Sequence, residues 1–303
     1  MSLLKEPLQP LSWSELEKLL GILRLDLPSA LTVHGIVQTA LRWRQTDASE
    51  RIKVYTTGEK LECAAIVCIY RVTDNLNYRV AMHCRDKDTS TLRNALLTTR
   101  RINWDSPATT IHFIAFHEKL LPTLEECLSH HTLQMMEYSS AGAPRVMNNV
   151  YKWITSEQLA SCNFTCPPEV KLAPVGLESV ELIRSNWFNM PDAAEYIPSL
   201  IKYNPSLGVY SRATGELCAW VLFSEFCALT MLYTVERHRR KGYAQLLINA
   251  ICKRLLPEGL IVGGAVLRVN TASLKLFESL EFKTSQDSYF YVLAAPSAVD
   301  QLM

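Results

Sequence analysis

The sequence predicts a mixed α/β protein of two domains, and three observations carry that prediction. Its 303 residues exceed the span of one typical domain, roughly 100–200 residues. Apolar residues make up 48% and charged residues 20%, the mix of a chain that buries cores. In the second half, three β-type runs are followed by an alternation of strand and helix patterns, the order expected of a mixed sheet. Balanced charge, 31 basic against 30 acidic side chains for a net +1, argues against wholesale binding to nucleic acid or an anionic membrane. The longest apolar runs, residues 63–70 and 260–267, fall well short of the ~20 residues that span a bilayer.

The elements follow from local pattern. Ser12 and Glu15 have the spacing of a capping box, and Trp13, Leu16, Leu20 and Leu23 then recur at helical spacing up to Pro28. A second helix is expected over residues 35–44. Strands are expected at 53–56, 64–71, 78–84 and 111–116, with a helix near 92–98. Pro122 opens a helical stretch running through Leu124, Cys127, Leu128 and Met135. Residues 139–144 read as a small-residue loop and 160–168 as a linker with two prolines. The expected domains are therefore 1–165 and 166–303, and neither contains a short tandem repeat.

In the second half, helical patterns at 177–188 and 193–203 precede strands at 207–211, 217–224 and 227–235. Gly215 supplies the positive φ that the hairpin between the first two needs. Residues 236–244 open a helix whose Ala244, Leu247, Ile251 and Leu255 form one apolar stripe, closed by Pro257 and Gly259. A strand at 260–267, a helix at 271–280 and a last strand pair at 282–284 and 289–293 complete the chain.

The chemistry concentrates at Arg239, Arg240, Lys241, Gly242, Tyr243 and Ala244, where a strand gives way to a helix. A helix start offers unpartnered N–H groups and the positive end of the macrodipole, so it can hold a phosphate or pyrophosphate. Gly242 brings no Cβ into that space, and the basic residues add charge. Against this stands a plain solvated basic turn or a localisation signal. The glycine spacing fits neither a Walker loop nor the three-glycine dinucleotide fingerprint. One strand–helix step later come Asn270 and Ser273, polar groups that either face a ligand or, more simply, cap their helix.

At these residues the chain resembles the GCN5-related N-acetyltransferase superfamily. Arg239, Gly242 and Ala244 match its (Gln/Arg)-x-x-Gly-x-(Gly/Ala) turn, and Asn270, Ser273, Leu276 and Phe282 match its Asn-x-x-Ser…Phe segment. Residues 205–209, Ala219-Trp220 and 233–239 resemble the glycine N-acyltransferase-like family. Residues 27–35 and Ile102-Asn103-Trp104 are similar to that family's N-terminal domain. The resemblance implies a GNAT-type acyltransferase fold in the C-terminal half, and in the N-terminal domain a degenerate copy built on strands near Val54, Ile66, Val80 and Phe113.

It further implies that coenzyme A pantetheine inserts as a pseudo-strand against Leu232, Tyr233, Thr234 and Val235, with its pyrophosphate on the amides of Arg240 to Ala244. An amine would then attack the thioester of acetyl-CoA or another acyl-CoA directly, with a backbone N–H near 233–235 stabilising the oxyanion. The acceptor would be a small-molecule amine, glycine or another amino acid. The family's glutamate on the strand before the turn is absent, since residues 227–235 contain no acid; Glu225 is the nearest substitute, its alternative being an exposed turn carboxylate. The position of the family's thiolate-protonating tyrosine is Phe277, and Glu281-Phe282 replaces the usual Gly-Phe. These departures leave a second reading open, a catalytically weak acyl-CoA-binding protein. Trp104, Trp153 and Trp187 are candidates either for an acceptor pocket or for plain packing.

No metal is expected. Nine cysteines in no framework spacing read as free thiols in a reducing compartment. Cys162 and Cys166 read as a loop with two thiols rather than half a zinc site, and His130-His131 as helix surface. The first twenty residues have no arginine and fit neither a secretory nor a transit signal. The expected address is cytoplasmic, with a mitochondrial one left open by the family resemblance.

Overall fold

In a computed structural model of the protein, residues 5–72, 77–136, 146–187 and 193–296 are described. The chain begins β1 (Gln9–Pro10), α1 (Trp13–Arg24), α2 (Leu31–Trp43), β2 (Ile52–Thr56), β3 (Ile66–Arg71), β4 (Asn77–His83) and α3 (Ser90–Thr98). Next come β5 (Thr110–His117), α4 (Leu121–His130), β6 (Leu133–Met136), β7 (Val146–Ile154), β8 (Val170–Ala173), α5 (Val180–Ser185) and α6 (Ala193–Tyr203). It ends with β9 (Ser206–Ser211), β10 (Leu217–Phe223), β11 (Leu229–Thr234), α7 (Tyr243–Leu255), β12 (Val262–Leu267), α8 (Thr271–Ser279), β13 (Lys283–Thr284) and β14 (Tyr289–Pro296). Two compact units result: Met1–Asn149 with Asp287–Met303, and Val150–Gln286.

In the first unit β1, β2, β3 and β4 are antiparallel neighbours, β4 runs parallel to β5, and β5 pairs antiparallel with β14. β14 also pairs with β6 and with residues 146–149 of β7. One face is a core in which Val80, Phe113 and Val292 meet Leu92, Leu96 and Leu124 of α3 and α4; α2 packs on β2 to β5. The β4–β5 ladder runs from Asn77↔Thr110 to Val80↔Phe113 and stops there, although the strands continue to His83 and His117. The connector between α1 and α2 and the first turn of α2 bond the separated strands. Thr32 Oγ1 donates to the Ala115 carbonyl at 2.7 Å, and the Asp26 carboxylate accepts from Arg85 Nε at 2.9 Å and contacts His83 Nε2 at 3.0 Å.

In the second unit β8, β9, β10 and β11 form an antiparallel sheet. β12 neighbours β7, whose Lys152 and Trp153 pair with β13. Leu247, Ile251 and Leu255 of α7 are at most 1% exposed and pack with Ala219, Val221 and Phe223 of β10, so the predicted apolar stripe forms the core. Its fourth member, Ala244, is half-buried.

Several expectations are corrected by pairings that lie far apart in sequence. The helix opened by Pro122 ends at His130; Thr132 turns the chain at φ +56°, and Met135 lies in β6. His131 is not helix surface but stacks on Trp104 at 4.2 Å and 7°, with Nε2 3.0 Å from the Leu96 carbonyl. Trp104 is itself buried in the first unit's core, its indole N–H given to Thr99 O, so it lines no pocket. β13 and β14 do not pair with each other; β13 joins β7, and β14 joins β5, β6 and β7. The single cut at 165/166 contrasts with the division at Asn149/Val150 and Gln286/Asp287, because strand pairing, which composition does not record, decides membership. Residues 139–144 and Phe188 lie outside the described residues.

Candidate functional site

β11 is bent by its own backbone. Its register against β10 moves from Trp220↔Tyr233 to Leu222↔Thr230, which leaves one extra residue on β11, and Met231 sits there at φ +52°. A bulge of this kind kinks and twists its strand. Accordingly β11 and β12 touch at one bridge, Ala228↔Gly263, where Gly263 N–H donates to Cys227 O at 3.1 Å. Beyond it no backbone hydrogen bond joins the two strands among the described residues. At this apex Gly263 has no room for a side chain, and a Cβ on Gly264 would stand in close contact with its neighbours. A Cβ on Gly263 would lie 2.6 Å from the Tyr151 ring, and one on Gly264 would lie 3.4 Å from Phe277 Cζ and 3.5 Å from Leu229 O.

The turn after β11 lies at the open end. Arg240 (φ +64°) and Gly242 (φ +76°) both adopt the left-handed conformation, which only glycine takes without strain. A Cβ at Gly242 would meet no protein atom within 4 Å. The N–H groups of Arg240, Lys241, Gly242, Tyr243 and Ala244 make no hydrogen bond to protein among the described residues. Successive amides in such a turn, at the start of a 13-residue helix, form an anion-binding concavity. The side chains divide the labour. Tyr243 is 3% exposed and buried in the α7 core, leaving only its N–H for a ligand. Arg239 turns back onto β11: Nε donates to Thr234 O at 3.2 Å, and its guanidinium lies 5.6 Å from the Tyr233 ring centroid. It braces the turn while remaining exposed, as Arg240 and Lys241 also are.

Leu232, Tyr233, Thr234 and Val235 are half-buried along the free edge of β11. One of them departs from expectation: Val235 N–H donates to Cys218 O at 2.9 Å, so Val235 offers no N–H to a thioester oxyanion. Tyr233 stacks on Trp220, centroids 5.1 Å apart. Asn270 Oδ1 accepts from Ser273 N–H at 3.1 Å, the simple capping arrangement. Glu225 is not an exposed turn carboxylate. It is 0% exposed, with Oε2 accepting from Tyr196 OH at 2.8 Å, in the tight turn where Ser224 and Ala228 bond each other. Phe277, 4% exposed, packs edge-on against Phe282.

Behind the turn, Glu216 binds Arg237 and lies 3.0 Å from His238 Nε2. With Cys218 these residues place three metal-capable atoms within 4.8 Å of one another, but Arg237 already holds the carboxylate. Burial raises the Cys218 pKa, and the Glu216 charge reinforces that shift. The group clasps the start of the turn to β10. Sequence reasoning missed three features here: the bulge at Met231, which leaves no sequence mark; the Tyr196 partner of Glu225; and Gly263-Gly264, the chain's one glycine pair, a signal of close backbone approach.

Comparison with known proteins agrees with this geometry. Residues 206–291 match the FR47-like protein family, and residues 7–127 match a domain of unknown function, DUF5645. A Drosophila protein solved by structural genomics superposes with a TM-score of 0.78 at 18% identity, covering 96% of this chain and 99% of its own. A tandem GNAT protein from the clavulanic acid biosynthesis pathway superposes at 0.52 with 14% identity, covering 96% of this chain and 99% of its own. The chain has the fold of a tandem GCN5-related N-acetyltransferase. A putative acetyltransferase from Pyrococcus horikoshii, at TM-score 0.51 and 11% identity over 97% of this chain and 90% of its own, shares that GNAT fold. Among the described residues no helix is long and apolar enough to cross a membrane.

Proposed function

We propose that the second unit is an acyl-CoA-dependent N-acyltransferase, with a small amine such as glycine or another amino acid as acceptor. One observation carries this reading: the unpaired edges of β11 and β12 open onto a turn with five unbonded N–H groups. Pantetheine would lie along Leu232 to Thr234 and the pyrophosphate on residues 240–244, with Asn270 and Ser273 bordering the thioester end. The neutral amine attacks the thioester carbonyl, the N–C bond forms, the C–S bond breaks and the thiolate of CoA departs. Glu225 is the proposed proton acceptor. Its full burial confines it to acting through Tyr196 or a water. Nine free thiols fit a reducing compartment, and the cytoplasm is the proposed site of action.

A second reading, an acyl-CoA-binding protein with weak catalysis, draws on two observations: the buried Glu225–Tyr196 pair and a phenylalanine, Phe277, beside the apex. Thiol release from acetyl-, benzoyl- and longer acyl-CoA with a panel of amines separates the two. Acceptor-dependent release supports the enzyme, and release indifferent to the amine supports the binder. Both readings require that CoA at a hundredfold excess over Kd stabilise the chain by about 2.7 kcal/mol. Gly242→Glu should abolish that stabilisation while unfolding without ligand stays cooperative. Unchanged CoA stabilisation in this variant would remove the phosphate assignment.

A further inference from the structure

Cys162 was paired in the sequence with its near neighbour Cys166, but its partner in space is Cys252, on the third turn of α7. The two cysteines belong to one buried cluster and are 2% and 0% exposed. Cys166 instead points its thiol at the Pro167 and Val170 carbonyls. Two flanking contacts hold the pair in register. Asn249 Nδ2 donates to Asn163 O at 2.9 Å, and the Lys253 ammonium lies 5.8 Å from the Phe164 ring centroid. Residues 249, 252 and 253 share one helix face, so segment 162–164 is laid along α7 at three consecutive points. None of these residues belongs to the thioester site.

We propose that Cys162 and Cys252 form a peroxide-reactive thiol pair that closes to a disulfide and staples this segment to α7. The Cys162 thiolate attacks a hydroperoxide oxygen, giving a sulfenic acid and water (an alcohol from an organic peroxide). The Cys252 thiol then attacks that sulfur, forming the S–S bond and expelling a second water. The two thiols supply two electrons and two protons, and the peroxide is the oxidant. Cys162 is the attacking member on electrostatic grounds. The Lys253 ammonium sits against its segment and favours its thiolate, and its neighbours Asn163 and Phe164 are exposed, whereas Cys252 is fully buried on the helix. Asn163 and Phe164, next to Cys162, are exposed, and local opening of this segment admits the oxidant.

The test treats the full chain with hydrogen peroxide and maps alkylated peptides under non-reducing conditions. The expected product joins the peptides of Cys162 and Cys252, lighter by two hydrogens, with a Tm raised by several degrees and restored by reductant. Cys252→Ser should trap a dimedone-reactive sulfenic acid at Cys162, and Cys162→Ser should yield neither product. Exposed Cys63 is the internal control. If in the unmutated chain Cys162 oxidises no faster than Cys63, or no joined peptide forms, the proposal is overturned whatever the variants do.

Discussion

Under the proposed thioester chemistry Phe277 would report on the leaving group, because its ring lies against Gly264 at the apex. A phenol there could protonate a departing thiolate. Phe277→Tyr is expected to raise kcat by about tenfold or more with CoA affinity unchanged, read by steady-state thiol release and by calorimetry. A second single residue sets an acid limit on the fold. His34 is 1% exposed on α2, and neither ring nitrogen has a partner among the described residues. Burial, reinforced by Arg24, lowers its pKa from 6.5 to about 4. The unfolded chain takes up a proton below pH 6.5, while the folded chain does not until about pH 4. Stability is therefore lost as pH falls through that window, by about 3 kcal/mol at its lower end. Urea unfolding at pH 7 and 4.5 should show the loss, and His34→Leu should flatten it.

Between elements, Lys152 carries an unusual burden. Its side chain is 1% exposed on β7, and Nζ reaches Glu278 of α8 at 3.0 Å and Thr284 of β13 at 2.7 Å. Breaking one side of a buried pair costs more than removing both, since it strands a charge. Glu278→Ala should therefore destabilise by about 1–3 kcal/mol, less than for a fully buried pair because Glu278 is 60% exposed. Lys152→Met should lie within about 1 kcal/mol of the parent by chemical denaturation. Elements of this kind also show what the sequence reveals. α7 was legible because Gly242 and the stripe Leu247, Ile251, Leu255 encode its start and buried face locally. β7 was not, for its residues 150–154 gain their meaning from β12 and β13, more than a hundred positions away. At the site, the turn at 239–244 was readable from residue type, while the Val235 hydrogen bond and the Glu225–Tyr196 pair depend on tertiary approach.

At the scale of the chain, the two units treat the same strand arrangement in opposite ways. In the first, parallel strands separate and their edges are bonded by Thr32 and by Asp26. In the second they separate and stay unbridged. A strand arrangement can thus be kept while the gap between its parallel strands is bonded over. The placement of β14 has a practical corollary for anyone dissecting the gene. The last strand completes the first unit's sheet, and residues 150–154 serve the second. Expressing 1–165 and 166–303 separately would therefore deprive each fragment of a structural stave. Both should aggregate or unfold readily by circular dichroism and light scattering, whereas mixing them during refolding should restore a soluble heterodimer.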